Sequence, residues 1–147
     1  MEAGQTPILV HNVNSCQVEY GSTDLSKQAI AARKTNGWTR SARNVSVWEY
    51  KDSGGALQTL VARSGPRHAE RMAWDQLQSM GVSADSVTRV YTELAPCSYA
   101  GCSAFLNQFT NASVTHSFEY GLTSASRRAG VNALKRALTQ IRNGVFD

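Results

Sequence analysis

Three short pieces of this 147-residue sequence can share one metal ion, but only in a fold that brings them together. They are His68-Ala69-Glu70, then Pro96-Cys97 after 25 intervening residues, and finally Cys102. One imidazole and two thiolates provide three ligands, which leaves the fourth position of a tetrahedral zinc open. An open position distinguishes a catalytic zinc from a structural one. The pattern therefore predicts a catalytic type of zinc site.

Glu70 is the one residue of this pattern that can move protons to and from a water molecule at the metal. Residues two apart point in nearly opposite directions on a helix, so His68 and Glu70 can reach one site only from a first turn. Pro66 favours a helix that begins there. The structural alternative is a surface histidine, a first-turn acid and two small buried cysteines. The order and spacing of all four residues favour the metal site.

Length and composition restrict the class of protein. A chain of 147 residues is expected to form one domain with a real core. Its 41% hydrophobic and 18% charged residues are ordinary for a soluble globular chain, and no apolar run approaches the length of a membrane helix. The first seven residues lack the pattern of a signal peptide. The net charge of +4 permits a polyanionic partner without requiring one.

The cysteines argue against a disulfide framework, because three is an odd count. If Cys97 and Cys102 bind metal, Cys16 remains as a free thiol. A chain with this cysteine usage is expected to work in a reducing compartment.

Periodicity and turn residues predict eight elements in the order α-β-β-α-β-α-β-α. The predicted helices are residues 25–34, 67–80, 97–109 and 124–142, and the predicted strands are residues 45–50, 57–63, 87–92 and 114–120. A hairpin followed by strand–helix alternation predicts an α/β fold, with a mixed sheet flanked by helices on both faces. Residues 1–23 are predicted to be a leader that precedes one domain, residues 24–147.

The same patterns predict which side chains are buried. Residues expected in the core are Trp48, Met72, Trp74, Leu77, Met80 and Phe105, together with a stripe formed by Val131, Leu134, Leu138, Ile141 and Val145. Arg128, Lys135 and Arg142, spaced by seven, are expected to be a solvated flank. His116 lies on a predicted strand and is interpreted as a structural histidine.

The metal pattern resembles the H-x-E…P-C-x-x-C signature of the zinc-dependent cytidine deaminase superfamily. Two spacings, from Glu70 to Pro96 and from Cys97 to Cys102, resemble the AID/APOBEC polynucleotide cytosine deaminases. This resemblance implies a cytidine deaminase-like fold. It also implies Zn²⁺ bound by His68, Cys97 and Cys102, with Glu70 as the catalytic residue that carries protons.

A second resemblance concerns the flanks. Residues 6–12, followed by Cys16, resemble the junction before the C-terminal toxin domain of bacterial polymorphic toxins; the alternative is a plain disordered leader. Together with the residues around His68 and Cys97, the chain resembles bacterial deaminase toxins, closest to the single-stranded DNA cytosine deaminase toxin family. Residues 24–147 would then be a toxin domain. It would be secreted as part of a larger protein, delivered into the cytoplasm of a recipient cell and countered by an immunity protein.

Cations and aromatic side chains that form single-strand grooves occur in the loops predicted to surround the zinc. The candidate substrate contacts are Trp38, Asn44, Arg67, Tyr99 and Tyr120. In the resembled families, an aromatic residue between the cysteines contacts the target base, and residues after the fourth strand select the preceding nucleotide. The asparagine that usually binds the target sugar has no counterpart between Asn44 and His68.

The sequence thus predicts a zinc-dependent enzyme that hydrolytically deaminates cytosine to uracil in single-stranded DNA. Deamination of double-stranded DNA, RNA, free nucleotides or adenine is the alternative. A further alternative, from another class, is a binding module with a structural zinc. Such a site would need a fourth ligand, for which His116 is the unassigned histidine of the domain.

Overall fold

The computed structural model describes residues 15–96 and 102–147, apart from the side chains of residues 102 and 103. The strands are β1 (Cys16–Gln17), β2 (Val45–Lys51), β3 (Leu57–Arg63), β4 (Val87–Leu94) and β5 (Ser113–Phe118). The helices are α1 (Asp24–Asn36), α2 (Ala69–Ser79), α3 (Cys102–Leu106) and α4 (Ser124–Arg142), and a 3₁₀ turn spans Ala84–Ser86.

The five strands form one mixed sheet in the order β1-β5-β4-β2-β3. The predicted hairpin is confirmed, because β2 and β3 pair antiparallel from Val45 opposite Arg63 to Lys51 opposite Leu57. β4 runs antiparallel to β2 and parallel to β5, and β1 runs parallel to β5. The carboxyl ends of β4 and β5 therefore lie side by side at one edge of the sheet.

Helices cover both faces of the sheet, as the alternation of strands and helices along the chain predicts. Val45 and Val47 of β2 pack in a cluster with α1. Trp48 points the other way and packs with Trp74 of α2 and Leu106 of α3. α4 lies on the α1 face and packs against Tyr20, Ile30 and the end of β4. The predicted α/β class, with a mixed sheet flanked on both faces, is confirmed.

The N-terminal stretch differs from the prediction. Cys16 and Gln17, which were expected to belong to a leader of residues 1–23, form the edge strand β1. Tyr20 is buried in the core between the sheet and α4. The fold therefore includes residues that precede position 24. Residues 1–14 lie outside the described part of the chain, so the rest of the leader stays a prediction.

Two core residues and several boundaries were predicted wrongly. Met80 is 55% exposed and Val145 61% exposed, because each lies just beyond the end of its helix, α2 and α4 respectively. α2 begins at Ala69 rather than Arg67, and β5 ends at Phe118, two residues before Tyr120. The helix predicted for residues 97–109 ends at Leu106 rather than Phe109, and residues 97–101 lie outside the described part of the chain.

The remaining predictions of burial hold. Trp48, Trp74 and Leu77 are buried, and Met72 and Phe105 pack against the same cluster. Leu134, Leu138 and Ile141 are buried along α4, whereas Arg128, Lys135 and Arg142 are exposed. His116 is buried between Ser15 and Glu119, with contacts of 2.6 and 2.9 Å, which confirms a structural environment. None of the helices in residues 15–96 and 102–147 has the length and apolar character of a membrane span.

Gly130 of α4 allows the helix to approach the chain after β5. A Cβ atom at this position would lie 2.0 Å from the carbonyl oxygen of Glu119. Alanine usually stabilises a helix relative to glycine, but here the clash dominates. We expect Gly130→Ala to lower the free energy of unfolding by about 1–3 kcal/mol in denaturant titrations.

Gly54→Ala is the matched control for this substitution. Its added Cβ would meet nothing closer than 3.5 Å, and Gly54 has no positive φ. We expect it to leave the free energy of unfolding nearly unchanged. A Gly130→Ala variant as stable as the wild type would contradict the close approach of α4.

Candidate active site

A cavity of about 180 Å³ opens at the carboxyl ends of β4 and β5, where the last residues of the two strands meet. Ligand sites commonly lie at this edge of a sheet with parallel strands. The loop before β2, the segment before α2 and the first turn of α2 complete the walls. Among the described residues, the lining consists of Ala42, Arg43, Asn44, Ser64, His68, Ala69, Glu70, Leu94, Ala95, Tyr120 and Val131.

The start of α2 brings His68 and Glu70 to one cavity. His68 is the N-cap residue, with an extended backbone at φ −62° and ψ 152°, and Glu70 follows in the first turn. Residues two apart on a helix point in nearly opposite directions. His68 precedes the helical residues, so this geometry does not apply, and both side chains line the cavity. His68 is exposed, whereas Ala69 and Glu70 are buried. An accessible imidazole and a sequestered carboxyl group therefore line the same cavity.

Glu70 is only 2% exposed, although it lines the cavity. Its Oε2 atom lies 3.4 Å from the Thr92 hydroxyl, which donates to it. Its Oε1 atom is buried and has no hydrogen-bond partner in the described part of the chain. Burial raises the pKa of the Glu70 carboxyl above its ordinary value of 4.5, and the smaller effects of its own backbone amide and of the Thr92 hydroxyl oppose this shift. A carboxyl group with a raised pKa is suited to exchanging protons near neutral pH.

Asn44 connects this carboxyl group to the end of β4. Its Nδ2 atom donates to Thr92 Oγ1 at 2.7 Å, and its Oδ1 atom accepts from the Leu94 amide at 3.0 Å. Asn44 also lines the cavity. Asn44, which the sequence predicts to contact substrate, is therefore also hydrogen-bonded to β4, the strand that carries Thr92.

Residues 42–44 form one wall of the cavity and belong to a loop that accepts hydrogen bonds from a buried arginine. Arg33 of α1 is 0% exposed and donates to the carbonyl oxygens of Trp38, Ser41 and Arg43 at 2.7, 3.1 and 2.6 Å. Its guanidinium also makes two hydrogen bonds to Glu93, at 2.6 and 2.8 Å. One side chain thus sets the course of the loop from position 38 to 43.

Glu93 is satisfied on both oxygens. Besides Arg33, it accepts a hydrogen bond from the Tyr20 hydroxyl at 2.5 Å and one from the Val45 amide at 3.0 Å. Burial raises the pKa of Tyr20, and the nearby charge of Glu93 raises it further, so the phenol remains a donor. Sequence reasoning missed this network. Its one local signal is that a charged residue, Glu93, lies within a strand of mostly buried residues.

The structure brings together some of the predicted substrate contacts. Asn44 and Tyr120 line the cavity with His68 and Glu70. Trp38 instead packs against the α1 cluster, with the Arg63 guanidinium 4.5 Å from the centre of its ring. Arg67 forms an exposed ion pair with Asp75 at 2.6 Å and is not among the lining residues.

The two predicted cysteine ligands, and Tyr99 between them, are the part of the site that the structure does not describe. Cys97 and Tyr99 lie outside the described residues, and Cys102 begins α3 with its side chain undescribed. No cluster of three metal-binding side chains occurs among the residues that are described. β4 ends at Leu94, which lines the cavity. Pro96 lies two residues later and immediately precedes Cys97.

The residues present nevertheless fit a zinc ion. An imidazole and two thiolates are the donors that zinc prefers. The Glu70 carboxyl group lines the same cavity as His68, and its Oε1 atom has no hydrogen-bond partner among the described residues. Such a carboxylate oxygen is suited to proton transfer at a metal-associated water.

Comparison with models of protein families matches residues 41–137, about two thirds of the chain, to the family described as Xanthomonas-like deaminase. No curated protein matches the chain. The matched segment begins in the loop held by Arg33 and ends within α4, so it contains every lining residue named above and all four residues of the metal pattern. The buried carboxyl group of Glu70 lies within this segment, and the chain belongs to the Xanthomonas-like deaminase family.

Proposed function

We propose that this domain is a zinc-dependent hydrolase that deaminates cytosine to uracil in single-stranded DNA. Membership of a deaminase family supports deamination. The observation that carries the proposal is the buried Glu70 carboxyl group, which lines the cavity with one oxygen unpartnered among the described residues.

His68, Cys97 and Cys102 would bind the zinc ion. When bound, zinc supplies Lewis-acid activation of water at neutral pH. Glu70 would take one proton from the attacking water and give it to the ring nitrogen, and would then take the second proton from the added hydroxyl group and give it to the departing amine. One water is consumed, and uracil and ammonia are produced. Because burial raises the pKa of Glu70, the carboxyl group can both accept and release a proton in this cycle.

The cationic surface near the cavity supports a polynucleotide substrate. Arg43 lines the cavity, and Arg63 lies close enough that Arg43 and Arg33 lower its pKa by repulsion, after the larger effect of burial. A phosphate backbone relieves such repulsion between like charges. A single strand also presents its bases without the cost of opening a duplex.

The substrate is tested with one oligonucleotide sequence supplied as single-stranded DNA, duplex DNA and RNA, and with free cytidine nucleotides. Products are sequenced or separated chromatographically, and Glu70→Ala is the inactive control. We expect Glu70-dependent conversion of cytosine to uracil in the single strand alone. Editing of another polymer, of free nucleotides only, or conversion of adenine to hypoxanthine would refute the proposed substrate.

Zinc content provides a test that does not depend on turnover. We expect His68→Ala, Cys97→Ser and Cys102→Ser each to reduce bound zinc from one per chain to a small fraction of that, because each removes a ligand. The measurement is elemental analysis of purified protein. Cys16→Ser is the matched control, since Cys16 is an exposed free thiol that does not line the cavity, and it should retain zinc. Equal zinc in all four variants would refute the ligand set.

The proposal extends to biological role. We infer that the domain is the toxin part of a larger secreted protein, that it acts in the cytoplasm of a recipient bacterium and that an immunity protein protects the producer. Expression in the cytoplasm of a test bacterium should stop growth or raise the frequency of C-to-T mutations. Glu70→Ala should do neither. Toxicity that persists in Glu70→Ala would refute a role based on deamination.

A further inference from the structure

We propose that Thr92 and Asn44 are positioning residues that fix the orientation of the Glu70 carboxylate. They would hold Oε2 in place and leave Oε1 for the reaction. This inference rests on the proposed function, because it assigns Glu70 its chemical role. It adds two residues outside the predicted metal pattern, and Thr92 is not among the residues that line the cavity.

The orientation of the Asn44 amide follows from its partners. The Leu94 amide is a donor only, so the Asn44 atom 3.0 Å from it must be the carbonyl oxygen, Oδ1. The NH₂ group then faces Thr92, whose hydroxyl oxygen lies 2.7 Å away. The backbone of β4 thus decides which way this side chain points.

The direction of the Thr92 hydroxyl follows from Asn44. Thr92 Oγ1 accepts a hydrogen from Asn44, so its own single hydrogen remains to be donated. Thr92 is 0% exposed, which excludes bulk water as the acceptor. Glu70 Oε2, at 3.4 Å, accepts this hydrogen. Hydrogen bonds therefore run in one direction, from Leu94 through Asn44 and Thr92 to Glu70.

This series of hydrogen bonds makes the two oxygens of Glu70 inequivalent. Oε2 receives the hydrogen bond, whereas Oε1 is buried without a partner among the described residues. The hydrogen bond is long, but such contacts commonly shorten when substrate binds. A carboxylate fixed in this way keeps Oε1 directed for reaction, whereas rotation about the Cγ–Cδ bond would exchange the two oxygens.

Three substitutions in the zinc-loaded protein test this series of hydrogen bonds. Thr92→Val removes the hydroxyl at nearly constant volume, and we expect kcat on single-stranded DNA to fall roughly 10- to 100-fold, with KM within twofold. Thr92→Ser restores the hydroxyl and should recover most of kcat. Asn44→Asp places a second acceptor opposite Thr92, so the hydroxyl turns away from Glu70 and kcat should fall as it does in Thr92→Val.

A merely structural role for Thr92 would not produce this pattern. Zinc content and the unfolding midpoint are measured for each variant, and both should stay near wild-type values in Thr92→Ser. If Thr92→Val does not fold, Thr92→Ala decides the question, because it also removes the hydroxyl but adds no charge near Glu70 and leaves the cavity-lining Asn44 unchanged. A kcat near wild type in the folded variants, with Glu70→Ala inactive, would overturn the positioning role and leave the proposed function intact.

A crystal structure of Thr92→Val gives a readout that needs no substrate. We expect the Glu70 carboxylate to rotate about Cγ–Cδ or to occupy two orientations. A carboxylate with the wild-type orientation would overturn the inference, whatever reaction the protein performs. If instead the carboxylate rotates but no nucleic acid or nucleotide is deaminated by the wild type, the positioning stands and the proposed function fails.

Discussion

Glu70→Gln is expected to lower the rate of cytosine deamination by about 10²–10⁴-fold, the usual contribution of a general acid–base group. Glutamine has nearly the same size and can still accept the hydrogen bond from Thr92, but it carries no exchangeable proton of suitable pKa. Because Glu70 is 2% exposed, removing its charge also removes a cost of burial. The melting temperature should therefore not fall.

Single-turnover kinetics measures the expected loss of rate, and thermal unfolding measures the melting temperature. Zinc content is determined for the same samples. Glu19→Gln is the matched control, since Glu19 is an exposed carboxylate outside the cavity. It should change neither rate nor melting temperature. Substantial turnover by Glu70→Gln would eliminate Glu70 as the proton carrier, and a large loss of stability would mean that its main role is structural.

Glu93→Leu is expected to destabilise the fold by about 3–5 kcal/mol, because it leaves the Arg33 guanidinium buried without its counter-charge. Both side chains of this pair are 0% exposed, so water cannot replace the lost partner. Arg33→Met should have a similar effect, since it strands Glu93 and removes the donors to three loop carbonyls. Equilibrium unfolding in denaturant measures both losses.

Lys34→Met is the control for the Arg33 substitution. Lys34 also forms an ion pair, with Asp147 at 2.6 Å, but both side chains are substantially exposed. Exposed pairs contribute about 0–1 kcal/mol. The double variant Arg33→Met/Glu93→Leu should recover part of the loss, because no unpaired charge remains. Equal losses for Arg33→Met and Lys34→Met would contradict a buried, charge-paired network.

Local patterns were sufficient for the order of most elements. The spacing of Leu134, Leu138 and Ile141 in α4 reflects burial on one face, which periodicity detects. β2 is buried on both faces, and its valine, tryptophan and tyrosine residues, which favour strands, identified it. β1 carries no such signal, because it has two residues and both are exposed. Its place in the sheet depends on backbone pairing with β5, a hundred residues away along the chain. Met80 and Val145 continued an apolar pattern past the end of a helix.

The site divides in the same way. His68 and Glu70 could be predicted because their role depends on a short motif at a helix start. Thr92 and Arg33 could not, because their partners are set by long-range packing. Thr92 faces Asn44 through the register that places Ser46 opposite Thr92, and Arg33 meets Glu93 across sixty positions. Nothing in the residues next to them indicates either contact.

The hold of Arg33 on the loop before β2 affects how ligands would bind. Loops that contact ligands often come from the least stable parts of a fold, and ordering them then weakens binding. Here the carbonyl oxygens of residues 38, 41 and 43 are anchored to the fully buried Arg33 guanidinium. Their conformational entropy is lost during folding rather than on binding. This wall of the cavity is thus preorganised, and the amides within it should exchange hydrogen at rates close to those of the core.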